Sequence, residues 1–393
     1  MNALAFAWRS LVRQPARATL GILGVAAVGA LLFDMLLLSQ GLIVSMRDLL
    51  DRSGFDVRVT ATEDLLGRRT EIPDAANTAA RFAMLPTVGS AITLWFESAE
   101  LERVGGAGDQ VDVSLLGAGG GSVRPWTVLR GRDVRGDREL VLNDYAARAL
   151  GAEPGASVVV RASCVAQAPP PVVFHVAAVA EFPFDTPEAA GAATTAASLA
   201  EACGEADARR ANLLLVASRG DPVATVADIT RARPELSAIT NEDVVGRLQA
   251  VGFTYFTQIS TVLTTITVSF ALLLITVLLT VSVNQRLGEI AALRALGFSR
   301  RRVAADVLCE SGLIVGIGGV LSLPLGALLA TGLDAILKRM PGIPTELHFF
   351  VFEPRALEIH AALLTATAFA AALYPMRIVA GLPIAATLRS EVI

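Results

Sequence analysis

Four long apolar runs divide the chain, and each is long enough to be a membrane-spanning helix. They cover residues 20–38, 253–283, 311–333 and 359–376. A bilayer core needs about 20 predominantly apolar residues in a helix, so each run predicts one transmembrane helix. The mixed polarity of residues 41–252 predicts a folded domain outside the membrane. The expected fold class is a polytopic α-helical membrane protein with four transmembrane helices and a large α+β extracytoplasmic domain between helices 1 and 2.

The same pattern predicts the order of segments along the chain. Helices are expected over 18–40, 253–283, 309–333 and 357–378, and the extracytoplasmic domain over 41–252. The remaining segments are an amphipathic cytoplasmic helix (1–17), a cytoplasmic helical segment (284–308), a short external loop (334–356) and a cytoplasmic tail (379–393).

The distribution of charge orients these segments. Residues 1–17, 284–302 and 377–393 together carry ten Arg against two Glu, whereas residues 41–252 carry 20 basic and 28 acidic residues. Basic residues accumulate in cytoplasmic segments. Both termini are therefore expected in the cytoplasm, with the large domain on the other side of the membrane.

The second apolar run is longer than a bilayer requires. Its 31 residues would form a helix of about 46 Å. Two interpretations remain open, a rigid stalk or polar stripe facing a partner helix, and a helix start exposed to water. The polar residues of its first half are Thr254, Thr257, Gln258, Thr261, Thr264 and Thr265.

The third run contains small residues at helical spacing. Gly312, Gly316 and Gly319 lie three or four positions apart. Small residues at such spacing let helices approach closely in lipid. We expect these three glycines to pack against a neighbouring helix.

Composition excludes several classes of function. The chain is 53% hydrophobic and 18% charged, and Lys338 is its single lysine. Lys338 lies in DAILKRMPG, which does not fit the P-loop pattern, so no cofactor is expected in this chain and ATP with Mg²⁺ would belong to a partner. The net charge of −4 without charged blocks argues against nucleic-acid binding. The three histidines show no metal-ligand spacing, and no catalytic triad is evident.

The segment 41–252 alternates strand-like runs with short helical ones, which indicates an α+β domain of two subdomains. A helix is expected over 145–150, with Asn143 or Asp144 as N-cap and Gly151 at its end. Cys164 and Cys203 lie in this segment, and an external compartment permits a disulfide between them. The strand-like runs are 57–60, 91–96, 111–116, 139–142, 157–161, 172–180 and 212–217.

The segment between the second and third runs reads NQRLGEIAALRALGFSRRRVAADVLCESG. Its apolar positions predict a short amphipathic helix, which Gly297 ends before Ser299 caps the next helix. Such a helix can dock into a groove of a partner protein or lie on lipid headgroups. The residues alone leave both interpretations open.

This segment resembles the core of the FtsX-like permease family of ABC transporters, of the MacB type. The resemblance rests on RLGEIAALRALGFSRRRV followed by ESGLIVGIGGVL. AWRSLVRQPARATLGILGV near the start and YPMRIVAGLPIAATLR near the end are similar to the corresponding parts of that family. LRGRDVRGDRELVLNDYAARALG looks like its periplasmic core domain.

The resemblance implies a set of partners. Members of the family pair as dimers, so a second permease chain, identical or paralogous, is expected together with a cytoplasmic ABC ATPase. Membrane lipid surrounds the spans, and a periplasmic adaptor or carrier protein is a further candidate partner. The segment 284–308 would be the coupling helix that contacts the ATPase. Its candidate residues are Arg286, Glu289, Arg294, Gly297, Phe298, Arg300 and Arg301.

The resemblance also implies a function. The chain would be a non-catalytic permease subunit that uses mechanotransmission to extrude or extract lipophilic cargo, such as a lipoprotein, lipid, amphipathic drug or peptide. One alternative is an FtsX-like regulator that activates a cell-wall hydrolase, and another is a membrane scaffold without an ATPase. The outside protein or lipid that accompanies the complex would discriminate among them.

Overall fold

The structure is a computed structural model, and it separates into two compact units. The helical unit consists of Met1–Leu42, Phe253–Ile336 and His348–Ile393, and the sheet unit consists of Ile43–Gly252 and Leu337–Leu347. The described residues are 3–13, 15–62, 71–105, 110–121, 123–164, 169–206, 208–251, 254–285, 287–288, 291, 299–340, 344 and 346–381.

The described helices and strands are numbered here in chain order. The helices are α1 (Ala3–Arg13), α2 (Pro15–Asp51), α3 (Ala75–Ala83), α4 (Asp144–Leu150), α5 (Ala196–Ala202), α6 (Pro222–Ala232), α7 (Asn241–Val251), α8 (Thr254–Asn284), α9 (Arg300–Leu337) and α10 (Pro354–Gly381). The strands are β1 (Val57–Thr60), β2 (Val88–Arg103), β3 (Gln110–Gly119), β4 (Thr127–Gly131), β5 (Glu139–Leu142), β6 (Ser157–Ala162), β7 (Val172–Glu181), β8 (Gly191–Thr195), β9 (Leu213–Ser218) and β10 (Ser237–Thr240).

Four of these helices are long and apolar enough to cross a membrane. The apolar segments are Ala18–Asp51 in α2, Gln258–Val281 in α8, Leu308–Leu337 in α9 and Pro354–Arg377 in α10. Each contains most or all of one predicted apolar run. The predicted fold class, four spanning helices and a large mixed α/β domain, is confirmed.

Helices α2 and α9 pack through alternating small and large side chains. The contact repeats every four residues on both helices, and the residue numbers rise together, so the two helices run in the same direction. Small residues let the two backbones approach closely. The four contacts are Gly21 with Ile314, Val25 with Gly318, Gly29 with Ser322, and Phe33 with Gly326.

This packing shows which glycines of α9 make close contacts within the described chain. A Cβ added at Gly312 or Gly316 would meet nothing within 4 Å in the described chain, whereas one at Gly319 would lie 3.1 Å from Leu364. A Cβ at Gly318 would lie 2.8 Å from Val25 and 3.0 Å from the Ile22 carbonyl oxygen. The face toward α2 carries Gly318 because an α-helix turns 100° per residue, and the packing of Gly312 and Gly316 against a neighbouring helix stays a prediction.

Helix α2 also extends further than the predicted transmembrane helix. It remains helical to Asp51, so residue 41 does not mark the end of a helix. Its last turns belong to the sheet unit, where Met46 and Leu50 pack against Ile239 and Val244. The apolar positions of residues 42–50 recur at helical spacing, which favours continued helix over a loop.

The sheet unit is built around one mixed sheet of ten strands among the described residues. Strands β2, β3, β8, β5, β7 and β6 pair in a closed ring. The first half of β2 pairs instead with β9, which continues to β1 and β10. A single 16-residue strand therefore joins the ring to a three-stranded extension.

The sheet confirms most predicted strands and corrects the subdomain expectation. The predicted helix is α4, where the Asn143 side chain accepts a hydrogen bond from the Ala146 amide and Gly151 adopts a left-handed φ of 58°. The expected two subdomains are not separate, because β2 contributes to both parts of the sheet. Strand β8 was not predicted, since GAATT lacks the branched and aromatic residues that usually mark strands.

Cys164 and Cys203 form a disulfide, with Cα atoms 5.4 Å apart. Cys203 is buried in the core inside the ring, and Cys164 packs against that core. Cys309, in α9, is a free thiol. The bridge ties the end of α5 to the chain after β6.

We predict that Gly318→Ala destabilises the helical unit and that Gly316→Ala does not. The added methyl at residue 318 would overlap Val25, and such overpacking typically costs about 1–3 kcal/mol. The measurement is the apparent melting temperature of the purified full chain in one detergent. Equal shifts for the two variants would contradict the contact between α2 and α9.

We also predict that the unreduced full chain exposes one reactive thiol after denaturation, and three after reduction. The disulfide closes a loop with a sequence separation of 39 residues, which stabilises the fold by about 4 kcal/mol in the chain-entropy model. Maleimide labelling followed by mass spectrometry counts the thiols. Labelling of Cys164 and Cys203 without reduction would refute the bridge.

Candidate functional site

The predicted coupling residues lie largely outside the described part of the chain. Arg286, Glu289, Arg294, Gly297 and Phe298 are not described. Arg300 and Arg301 form the first turn of α9, and their side chains are not described. Residues 300–308, predicted as part of the cytoplasmic segment, are therefore the beginning of α9.

The predicted cap at the start of α9 is present. The Ser299 hydroxyl lies 3.4 Å from the Arg302 backbone nitrogen and accepts its hydrogen bond. Such a contact satisfies one of the free amides of a helix N-terminus. The local signal that predicted a helix start at this position is confirmed.

Four hydroxyl groups of helix α8 are satisfied by its own backbone, and Ser260 donates instead to the Met35 carbonyl of α2 at 3.3 Å. Thr265, Ser269, Thr276 and Thr280 each donate to the carbonyl four residues earlier, at 2.6–2.8 Å. These groups need no partner helix, because their hydrogen bonds are already made. The helix also exposes large apolar side chains at spacings of three and four residues, which are Ile259, Val262, Ile266, Phe270, Leu273 and Val277.

A buried polar cluster lies inside the helical unit. The Ser322 hydroxyl donates to the Gly319 carbonyl at 2.7 Å and lies 2.9 Å from Nε2 of His360. Since the hydroxyl proton is used, Nε2 donates to Ser322 and the neutral tautomer is assigned. His360 Nδ1 and Asp34 Oδ1 are buried with no hydrogen-bond partner among the described residues. Buried ionisable groups in membrane spans are functional candidates.

In the sheet unit, the turn from Gly131 to Glu139 is closed by one carboxylate. Glu139 accepts hydrogen bonds from the Arg132 guanidinium and from the backbone amides of Arg135 and Gly136. These contacts, led by Arg132, lower the pKa of Glu139 to about 2. The turn occupies the motif LRGRDVRGDREL, so that motif encodes a polar turn, which Arg138 joins to Ser198 and Glu201 of α5.

The sheet unit contains a cavity of about 480 Å³. Its volume lies within the range typical of small-molecule sites. Side chains from β2, β3 and β9 form its base, and Pro125 and residues of the segment 182–192 contribute to its wall. The apolar side chains at its base are Leu94, Phe96, Leu116, Leu213 and Leu215.

Two charged residues line this cavity, and their environments differ. Asp185 accepts hydrogen bonds from the Asn143 side-chain amide and the Phe182 backbone amide, each at 3.0 Å. Burial raises the pKa of Asp185. Arg58 is 6% exposed, and its Nε donates to Asn241 Oδ1 at 3.3 Å. Burial lowers the pKa of Arg58 to about 10.

The arrangement of helices and sheet identifies the general class of this protein. Four helices that can cross a membrane, together with one large domain outside them, define a multi-pass membrane protein. Residues 261–384 match the family model described as FtsX-like permease C-terminal. The match confirms, over these residues, the resemblance seen in the sequence.

Two solved structures are similar to about half of the chain. The periplasmic region of MacB from Actinobacillus actinomycetemcomitans is 12% identical, with a TM-score of 0.39, and the match covers 50% of this chain and 94% of that one. The extracellular domain of the noncanonic ABC-type transporter YknZ from Gram-positive bacteria is 12% identical, with a TM-score of 0.34, covering 47% and 98%. A search among curated proteins finds no match.

Sequence reasoning missed both Arg58 and His360 as site residues. Arg58 is one of four residues in a short strand-like run, and a single arginine there is typical of a solvated edge. A histidine within an apolar span was the available signal for His360. Arg58 is recognised as a buried residue only from the structure, in which β9 and β10 pair with β1 on its two sides.

We predict that Glu139→Gln lowers the stability of the full chain at pH 7 by about 1–3 kcal/mol. The folded pKa of about 2 lies below the usual 4.5, so the contribution is complete above pH 4.5 and is lost as pH falls toward 2. Urea unfolding from pH 7 to pH 2 measures this. The control is the exposed Glu153→Gln. The assignment would be contradicted if the difference in unfolding free energy between the wild-type chain and Glu139→Gln were as large at pH 2 as at pH 7.

Proposed function

We propose that this chain is the permease subunit of an ATP-driven, MacB-type ABC transporter that extrudes or extracts lipophilic cargo by mechanotransmission. The ATPase is a separate cytoplasmic chain, and the permease acts as a dimer of identical or paralogous chains in the inner membrane. Both termini face the cytoplasm, and the sheet unit faces outward. A periplasmic adaptor or carrier protein receives the cargo.

The observation that carries the proposal is the family match over residues 261–384. It spans three of the four apolar helices and the complete segment between α8 and α9. FtsX-like permeases work with ABC ATPases, so a partner of that kind is supported. The charge distribution, with ten Arg on the segments assigned to the inner face, supports the orientation.

The continuous helix α2 supports a mechanical role. It has 37 residues without an internal proline, and its last turns contribute to the core of the sheet unit. A stiff helix transmits displacement, whereas a flexible linker absorbs it. The proposed rod is therefore α2, in addition to α8, which was the only candidate in the sequence. The exposed apolar face of α8 supports contact with a second permease chain.

The first experiment identifies the partners. The full chain is extracted from its native membrane in mild detergent, and the proteins and lipids that copurify are identified by mass spectrometry. A copurifying ABC ATPase with an adaptor, carrier or lipidated protein supports transport. A cell-wall hydrolase whose activity depends on the complex would favour the regulatory alternative. Purification without any ATPase would overturn the proposal.

We predict that Arg294→Glu and Gly297→Pro uncouple ATP hydrolysis from cargo movement. A reversed charge or a broken turn in the coupling helix disrupts contact with the ATPase without altering the membrane helices. Cargo transfer and ATP hydrolysis are measured with the copurified ATPase in liposomes. Arg377→Glu, which reverses a charge on the same predicted face outside this segment, is the control. Wild-type cargo transfer by both coupling variants would contradict the assignment.

A further inference from the structure

The cavity of the sheet unit combines an apolar base with one buried positive charge. Leu94, Leu116 and Leu215 come from three neighbouring strands and present apolar side chains to it. Arg58, in β1, lies beside Leu215 in β9 and lines the same cavity. A mostly apolar pocket with a few fixed polar groups is the usual form of a small-molecule site.

Arg58 lacks a compensating negative charge within the described chain. Its Nε donates to Asn241, and its two terminal nitrogens have no hydrogen-bond partner among the described residues. These two nitrogens are absent from the fully enclosed polar atoms without partners, so they retain accessible surface. Because the residue as a whole is 6% exposed and lines the cavity, that surface faces the cavity.

Asn241 explains why the arginine keeps this position. Its side-chain nitrogen donates to Asp51 at 2.9 Å and to the Phe55 carbonyl at 2.8 Å. Its oxygen is thereby left to accept from Arg58. The amide holds one edge of the guanidinium in place, and the opposite edge remains free for a second partner.

A buried charge without a charged partner is costly, and an anion bound beside Arg58 would remove that cost. A guanidinium binds a carboxylate or phosphate through two parallel hydrogen bonds. The surrounding leucines and phenylalanines would in turn accept a hydrocarbon chain and release water from apolar surface. The cavity therefore places an anion-binding group directly beside an apolar surface.

We propose that this cavity binds an anionic amphiphile, whose acidic head pairs with Arg58 and whose single apolar chain lies over Leu94, Leu116 and Leu215. Phe184 lines the cavity and is 41% exposed, so it is placed to contact the chain as it enters. This inference depends on the proposed function only in naming the bound amphiphile as cargo. The binding itself needs no ATPase.

Asp185 does not occupy the place of the proposed anion. Its two oxygens are held by Asn143 and the Phe182 amide, and no ion pair joins it to Arg58 among the described residues. Its contacts hold the segment 182–189 against the sheet, since Asn143 also donates to the Ala189 carbonyl at 2.8 Å. Asp185 therefore shapes the wall of the cavity.

The test uses the full chain in nanodiscs of uncharged phosphatidylcholine, without any ATPase. The probe is dodecanoic acid carrying a terminal diazirine, and the matched uncharged probe is the corresponding dodecanol. After illumination, labelled peptides are mapped by mass spectrometry, and unlabelled dodecanoate is used as competitor. We expect the acid to label the strands around Leu94 and Leu215, and to do so about tenfold more than the alcohol, because a charge-assisted hydrogen bond is lost.

Variants distinguish the contribution of the Arg58 charge to probe binding from the contribution of the cavity volume. Arg58→Gln should reduce labelling by the acid about tenfold, and Arg58→Lys should retain most of it. Ser114→Phe, which adds bulk to the cavity wall, should reduce labelling by both probes. Arg219→Gln removes an exposed arginine of the same unit and should change nothing. The intact disulfide and an unchanged melting temperature show that each variant is folded.

Two results would overturn the inference. One is equal labelling by the acid and the alcohol in the wild-type chain, a comparison that needs no variant. The other is labelling confined to the apolar helices, which would show that the probe dissolves in the membrane. Binding as expected, without any cargo-stimulated ATP hydrolysis in the coupled system, would uphold this site and remove the transport proposal.

Discussion

The interlocking contact between α2 and α9 is the constraint on which the helical unit depends. Each step places a small residue opposite a larger one, as in Gly29 with Ser322 and Phe33 with Gly326. Without water, such close packing replaces the hydrophobic driving force that assembles soluble helices. It also fixes the two helices as parallel, and this requires the chain to recross the membrane between them. Helix α8 makes that crossing, so the contact and the four-span order support each other.

The sheet unit depends in a similar way on one shared element. Strand β2 pairs with β3 and β6 in the closed ring and with β9 in the extension. The cavity lies where these pairings meet, because Leu94 belongs to β2 and Leu215 to β9. A change in the register of β2 would move the ring, the extension and the cavity wall together. The positions of the residues that line the cavity therefore depend on the register of the sheet.

Patterns within a few neighbouring residues predicted much of this fold, whereas contacts between residues far apart in the chain were not predicted. Apolar run length predicted the four spans, and capping residues such as Asn143 and Ser299 predicted helix starts correctly, because these effects act within a few residues. Spacing alone could not show which face of α9 meets α2, so the contact of Gly318 with α2 was not predicted. Arg58 became a site residue only through pairing with strands more than 150 positions away along the chain. The coupling segment stays a prediction of the sequence.

All ten described strands come from one uninterrupted stretch of chain, from Val57 to Thr240. The sheet unit takes only one further piece, Leu337–Leu347, and Glu346 of that piece lies 2.8 Å from Arg52. A gene fragment ending after α7 would therefore carry the full sheet, the disulfide and the cavity, and would lose the contacts of Glu346, which include its ion pair with Arg52 and its hydrogen bond with Glu181. Evolution could thus exchange this module between membrane anchors by one insertion event, while the short loop between α9 and α10 adapts to it.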